Sequence, residues 1–227
     1  PYVNRIADCR FDFAGRSWQL APNFGAHPHC LHGVGWQRPW QVGWTDGRSA
    51  RLELVHGADA DWPWPFEAEQ LFEVSDAGFA ATLRLRNTAD EEVPAGLGFH
   101  PYFPRLPDSR LTARLGAAWT ADATQLPLAR VQPDSFGDWA RGDTPARDQL
   151  VDNAHEGWDG VAEIRGGGLV VRMTATGTDG LHLFMPPGAD FFCAEPVTHL
   201  PDALNRGGMP SLAPGAALAI TMQLAVG

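Results

Sequence analysis

The chain has 227 residues, 44% of them hydrophobic and 19% charged, with 17 Lys and Arg against 27 Asp and Glu for a formal net charge of -10. That apolar share supplies a real core and excludes a charge-rich disordered chain. The acidic balance excludes a general nucleic-acid binder, which needs a basic field to displace phosphate counterions, and no apolar run approaches the roughly 18 residues of a membrane span.

In chain order, period-two runs predict strands at Ala50 to Val55, Phe66 to Val74, Phe79 to Arg86, Arg110 to Leu115, Val161 to Arg165, Leu169 to Ala175, Leu181 to Met185 and Ala217 to Leu224. Turn residues punctuate them, among them Asp46-Gly47, Asp76-Ala77-Gly78, Arg165-Gly166-Gly167-Gly168 and Asp179-Gly180. Only Pro201 to Asn205 suggests a helical turn. Leu106 to Asp159 is richest in Pro, Asp and Gly and is expected to be largely surface loop, with binding residues at the strand ends that flank it. A strand-rich chain of this length without alternating helices reads as a single domain, a large antiparallel β-sandwich.

Three widely spaced cysteines, Cys9, Cys30 and Cys193, give an odd count with no C-x-x-C pair. They predict neither a disulfide framework nor a zinc knuckle, and point to a reducing, cytoplasmic setting. Five of the nine tryptophans (Trp36, Trp40, Trp44, Trp62 and Trp64) crowd one short region; such side chains fill a core or offer a flat platform to sugar rings. His27, His29 and His32 have an imidazole-ligand look, yet Gly33, Val34, Gly35 and Trp36 follow where an acidic partner would be needed, so no metal is expected. There is no G-x-S-x-G, no P-loop and no complete G-x-G-x-x-G, which removes serine hydrolases, P-loop nucleotidases and dinucleotide enzymes.

What remains is dispersed: Asn4-Arg5-Ile6 with Arg10-Phe11 after it, Leu31-His32-Gly33, Gly98-Phe99-His100-Pro101-Tyr102-Phe103, Asp152-Asn153, and Glu195-Pro196 near the C-terminus. In this order the boxes resemble the aldose 1-epimerases, the galactose mutarotase-like proteins, across the whole chain. The His-Pro-Tyr-Phe form is more similar to a loosely characterised bacterial branch than to the galactose enzymes. The resemblance implies a supersandwich fold, Glu195 as general base, His100 as general acid, and Arg5 and His32 as the substrate-positioning pair. It also implies that Asp152 grips sugar hydroxyls, while Trp36 is the aromatic we expect against the sugar. Family members carry further strands before the Asn-Arg-Ile box, so an N-terminal segment is expected to be missing from this chain.

The residue types suit that chemistry on their own terms. Exchanging the α and β anomers of a free aldose requires one group to take the anomeric hydroxyl proton and another to protonate the ring oxygen, and a carboxylate and an imidazole on opposite sides of the hemiacetal supply the pair. No cofactor is needed, and the expected partner is a small sugar bound by a monomer or weak homodimer. The negative charge of Glu195 is expected to raise the His100 pKa. Two alternatives stay open: a sugar-phosphate mutarotase using Arg38 and Arg105, and a non-catalytic sugar-binding protein using Trp36, Trp40 and Arg5.

Overall fold

Alternation of apolar and polar residues becomes strand almost throughout the computed structural model, which describes residues 1–227. The strands are β1 (Arg5–Ile6), β2 (Arg10–Phe13), β3 (Arg16–Gln19), β4 (Cys30–Leu31), β5 (Gln41–Thr45), β6 (Ser49–His56), β7 (Phe66–Ser75), β8 (Gly78–Asn87), β9 (Val93–Pro94), β10 (Tyr102–Pro104), β11 (Arg110–Ala113), β12 (Ala117–Ala121), β13 (Pro127–Val131), β14 (Val151–Glu156), β15 (Val161–Gly166), β16 (Leu169–Thr176), β17 (Gly180–Met185), β18 (Phe191–Val197), β19 (Ser211–Leu212) and β20 (Ala217–Val226). The one α-helix, α1 (Ala203–Arg206), overlaps the turn expected near Pro201 to Asn205. No helix is long and apolar enough to cross a membrane.

Residue contacts divide the chain into two compact units: Pro1–Val74, Ala81–Gly98 and Thr198–Thr221 form the first, and Ser75–Ala80, Phe99–Val197 and Met222–Gly227 form the second. In the first unit β5, β6 and β7 make an antiparallel meander, with β6 paired to β7 from Ser49 opposite Glu73 to His56 opposite Phe66. β2 and β3 form a tight hairpin turned by Ala14 and Gly15, both at positive φ, as the twist of a two-residue hairpin loop demands. The core here is aromatic: Trp62 is 1% exposed and lies within 6 Å, centroid to centroid, of Tyr2, Phe11 and Trp64. Trp62 and Trp64 thus fill the core, whereas Trp36 and Trp44 keep large exposed faces.

The cysteine expectation fails in this unit. Cys9 and Cys30 are joined by a disulfide. Their separation of 21 residues carries no pairing signal, but β1 pairs with β4 with Ile6 opposite Cys30, and the 3-10 turn Ala7–Cys9 after β1 folds Cys9 back to it.

The second unit is a two-layer sandwich. One layer is a six-stranded antiparallel sheet in the order β10-β18-β17-β14-β12-β13; the other includes β11, β15 and β16, paired in that order. Leu181, Leu183 and Met185 of β17 and Phe192 and Ala194 of β18 meet Leu111, Ala162, Ile164 and Met173 in a shared core. Each fully buried Leu, Met or Phe contributes about 1.5–3 kcal/mol of transfer free energy. Because the strand period is two, the residues between them, His182, Phe184, Cys193 and Glu195, must stand on the opposite face.

The loop expected from Leu106 to Asp159 is corrected by this sheet. Besides β11, the segment contains β12, β13 and β14, and β14 sits inside the sheet between β17 and β12.

Candidate active site

The outer face of the six-stranded sheet is set by register. Directly opposed residues of an antiparallel pair share a face: Tyr102 lies opposite Cys193, Cys193 opposite Phe184, and Phe184 opposite Asp152, while Glu195 lies opposite His182 and His182 opposite Ala154. Asp152 and His182 are therefore diagonal neighbours. His182 Nε2 and Asp152 Oδ1 are 2.6 Å apart, and both side chains are buried.

Glu195 emerges from the run Phe191-Phe192-Cys193-Ala194 and is only 4% exposed. Leaving a carboxylate there is costly unless it has partners. One is His100, whose Nε2 lies 3.3 Å from Glu195 Oε1. His100 is held by the backbone on one side, where Phe99 N–H donates to Pro196 O at 3.0 Å, and by its ring stacked on Tyr102 at 4.9 Å and 15° on the other. The carboxylate is thus fixed on a strand, while the imidazole comes from a loop tied to the end of that strand.

Two expectations change at this point. Glu195 and His100, the expected base and acid, stand side by side, not on opposite sides of a sugar-sized gap; two oxygens bound to one anomeric carbon are themselves neighbours, so adjacency is compatible with the expected roles. The His100 pKa is also lowered, not raised. Burial is the chief cause, and the charge of His182 adds to it. Burial likewise pushes the Cys193 thiol well up, with Glu195 and Asp152 adding to the effect.

The remaining predicted residues gather in the first unit. Arg5 Nη1 donates to Asn4 Oδ1 at 3.0 Å, and Asn4 N–H donates to His32 Nδ1 at 3.2 Å while His32 N–H donates to Asn4 O at 2.8 Å. His32 packs edge-on to Trp36 at 6.1 Å, and the Trp36 indole N–H donates to the carbonyls of Leu31 and Gly33. Gly33 is required: its φ is +67°, and a Cβ would lie 2.9 Å from Pro1 N. Asn4 and His32 also adopt positive φ, a strained arrangement of the kind that clusters at ligand sites. Arg5, His32 and Trp36 thus form one group, and Glu195, His100 and Asp152 another, each within its own unit.

The Nδ1 atoms of the His27, His29 and His32 run each accept a backbone N–H, from His29, Asp8 and Asn4 respectively. Three residues beside the predicted pair were missed: His182, Tyr102 and Cys193. His182 had a legible signal, being the single off-phase polar residue in the strand Leu181 to Met185.

The large antiparallel sheet thus presents a buried carboxylate against an imidazole, two groups able to give and take a proton. The aldose 1-epimerase family model matches residues 1–225, and the chain belongs to that family. It is 31% identical over 247 residues to YphB, an uncharacterized protein of Escherichia coli (strain K12), spanning 100% of this chain and 81% of YphB. A crystal structure from Escherichia coli K12, whose own assignment as an aldose 1-epimerase is provisional, superposes with a TM-score of 0.91 at 30% identity, covering 100% of this chain and 81% of that one. A galactose mutarotase-like protein from Clostridium acetobutylicum shares the fold with a TM-score of 0.84 at 18% identity, covering 100% and 77% respectively.

Proposed function

We propose that the protein is an aldose 1-epimerase acting on a free aldose, carried by one observation: the 3.3 Å approach of His100 Nε2 to the buried Glu195 carboxylate. Glu195 removes the proton from the anomeric hydroxyl as His100 protonates the ring oxygen, and the bond from the anomeric carbon to that oxygen breaks. The open-chain aldehyde rotates and recloses from its other face, returning each proton by the reverse route. Positioned acid–base help of this kind is typically worth on the order of 10²- to 10⁴-fold.

In this reading Asp152 holds and orients His182 beside Glu195, a positioning role distinct from the direct grip on sugar that the family resemblance implies. Arg5, His32 and Trp36 keep the sugar-binding roles implied by that resemblance. We keep a cytoplasmic location and a monomer or weak homodimer within the proposal; the Cys9–Cys30 bond weighs against the former, since disulfides persist mainly in oxidising compartments.

Two observations favour a free sugar over a sugar phosphate. Arg38 is paired with both Asp59 and Asp61, and Arg105 donates to the Pro186 carbonyl. The retained Glu195 and His100 pair favours an enzyme over a silent binder. Exchange NMR between the anomers of a panel of free aldoses and one hexose 6-phosphate tests the reading. Catalysed exchange of a free aldose is expected. Exchange of the phosphate alone supports the alternative enzyme, and binding without any exchange supports a sugar-binding protein.

A further inference from the structure

The acid–base reading uses Glu195 and His100 but gives no task to Cys193, which is fully buried two residues before Glu195 on the same strand and face. One ligand atom each from His100, Cys193 and Glu195, the imidazole nitrogen, the thiol sulfur and a carboxylate oxygen, all lie within 4.8 Å of one another. Zinc bonds of roughly 2.0–2.3 Å in tetrahedral geometry place ligand atoms roughly 3.4 Å apart. The 3.3 Å between His100 Nε2 and Glu195 Oε1 already matches that spacing.

We propose that Cys193 Sγ, His100 Nε2 and a Glu195 carboxylate oxygen form a three-ligand site for a borderline-soft divalent cation, Zn2+ foremost, and that its occupation turns the acid–base pair off. The metal site is defined by its donors and holds whichever sugar is the substrate, whereas its inhibitory effect rests on the acid–base reading proposed above.

The donor set selects the ion. Sulfur and imidazole ligands suit zinc, whereas magnesium and calcium prefer sites made wholly of oxygen. Cys193 and Glu195 are anchored by strand pairing, Cys193 opposite both Tyr102 and Phe184 and Glu195 opposite His182, so two of the ligands are preorganised. His100 is partly exposed, with 34% of its side chain accessible, and can close on the ion while leaving a fourth position to water. Three protein ligands with one open position is the composition of an accessible zinc site, not a closed structural one.

Binding forms the metal–sulfur bond and releases the Sγ proton to solvent, since a coordinating thiol is deprotonated outright. It also occupies the His100 nitrogen and the Glu195 oxygen that proton transfer needs. The ion is accordingly an inhibitor of anomer exchange, not a requirement for it.

The test uses the full chain stripped with EDTA and then titrated with Zn2+ against a chromophoric chelator, with Co2+ as a spectroscopic substitute. The expected result is one tight equivalent of Zn2+, a cobalt–thiolate charge-transfer band in the near ultraviolet, and loss of anomer exchange at stoichiometric Zn2+. Cys193→Ala should abolish the band and weaken Zn2+ on the order of 100-fold or more, and each variant's exchange rate is read against its own metal-free rate. His100→Gln, a change on a surface loop, serves as the second variant if Cys193→Ala fails to fold, and should weaken Zn2+ at least tenfold. Absence of a tight equivalent overturns the proposal. So does binding that survives both substitutions and is lost in His27→Asn, which would assign the ion to the His27 and His29 run.

Discussion

β14 and β17 carry a histidine each, one on either face of the same sheet, and the two have opposite fates. His155, opposite Leu181, points into the core, is 0% exposed, and has no hydrogen-bond partner on either ring nitrogen. Burial lowers its pKa to about 4. His182, opposite Ala154, points to the outer face and is bonded to Asp152. A one-residue change of phase along a strand exchanges these surroundings completely. The core face stabilises by excluding water, whereas the outer face gathers Asp152, His182, Glu195, Cys193 and Tyr102, where charge is held by partners. Chemistry should therefore be sensitive to substitutions on one face and folding to those on the other.

The sharpest separation is expected at His100. His100→Gln should lower kcat/KM for anomer exchange by on the order of 10²- to 10⁴-fold while the unfolding midpoint stays close to wild type. The pH profile gives the sign. A general acid works while protonated, and because the His100 pKa is lowered, its protonated form is lost at a lower pH than for an ordinary histidine of about 6.5. The alkaline limb of kcat/KM should lie on the acid side of that value and vanish in the variant. A limb above it would show that a different group, or a bound sugar, sets the proton.

On the core face the expectation reverses. Leu183→Ala should cost about 2–5 kcal/mol in urea unfolding and leave kcat of the folded fraction nearly unchanged. Asp152→Asn belongs to the outer face and should lower kcat roughly tenfold to a hundredfold with little change in KM, through a misplaced His182. Asp152→Asn and His182→Asn together should then cost little more than either alone.

The smallest effect at neutral pH is expected for His155→Leu, since replacing a buried, partnerless ring by a hydrocarbon is close to neutral or stabilising. Acid exposes the difference. A histidine whose pKa is lowered in the native state stabilises fully above its unfolded value of about 6.5, and that contribution, up to about 3 kcal/mol, is lost as the pH falls toward about 4. His155→Leu should flatten the slope between those limits, leaving the part due to His199, whose pKa burial also lowers to about 4. An unchanged slope would mean that His155 is not held neutral. Dialysis against EDTA should not reduce anomer exchange in any of these proteins.

The two faces of the sheet also differ in how much of them is legible in the sequence. Strands such as Phe66–Ser75 and Leu169–Thr176 were legible within about a residue because one side chain in two is apolar. Val151–Glu156 was not, because it carries Asp152 on the outer face and Asn153 and His155 on the inner, so polar residues on both sides erase the period. The roles proposed for Glu195 and His100 come from the family resemblance of ordered motifs, and the structure adds that the two side chains touch. Their adjacency and the direction of the His100 shift could not come from motifs, since both depend on a backbone bond between Phe99 and Pro196 and on burial. The Cys9–Cys30 bond was hidden for the same reason: only the pairing of β1 with β4 brings the two together.

The central claim is that the buried Glu195 carboxylate is the base. Glu195→Gln keeps the shape and removes the charge, so circular dichroism and thermal unfolding confirm the fold while exchange NMR measures turnover of an aldose that the wild-type protein equilibrates. The account predicts a folded protein whose catalysed rate has fallen by on the order of 10²-fold or more. A folded Glu195→Gln protein that exchanges anomers at close to the wild-type rate would contradict it.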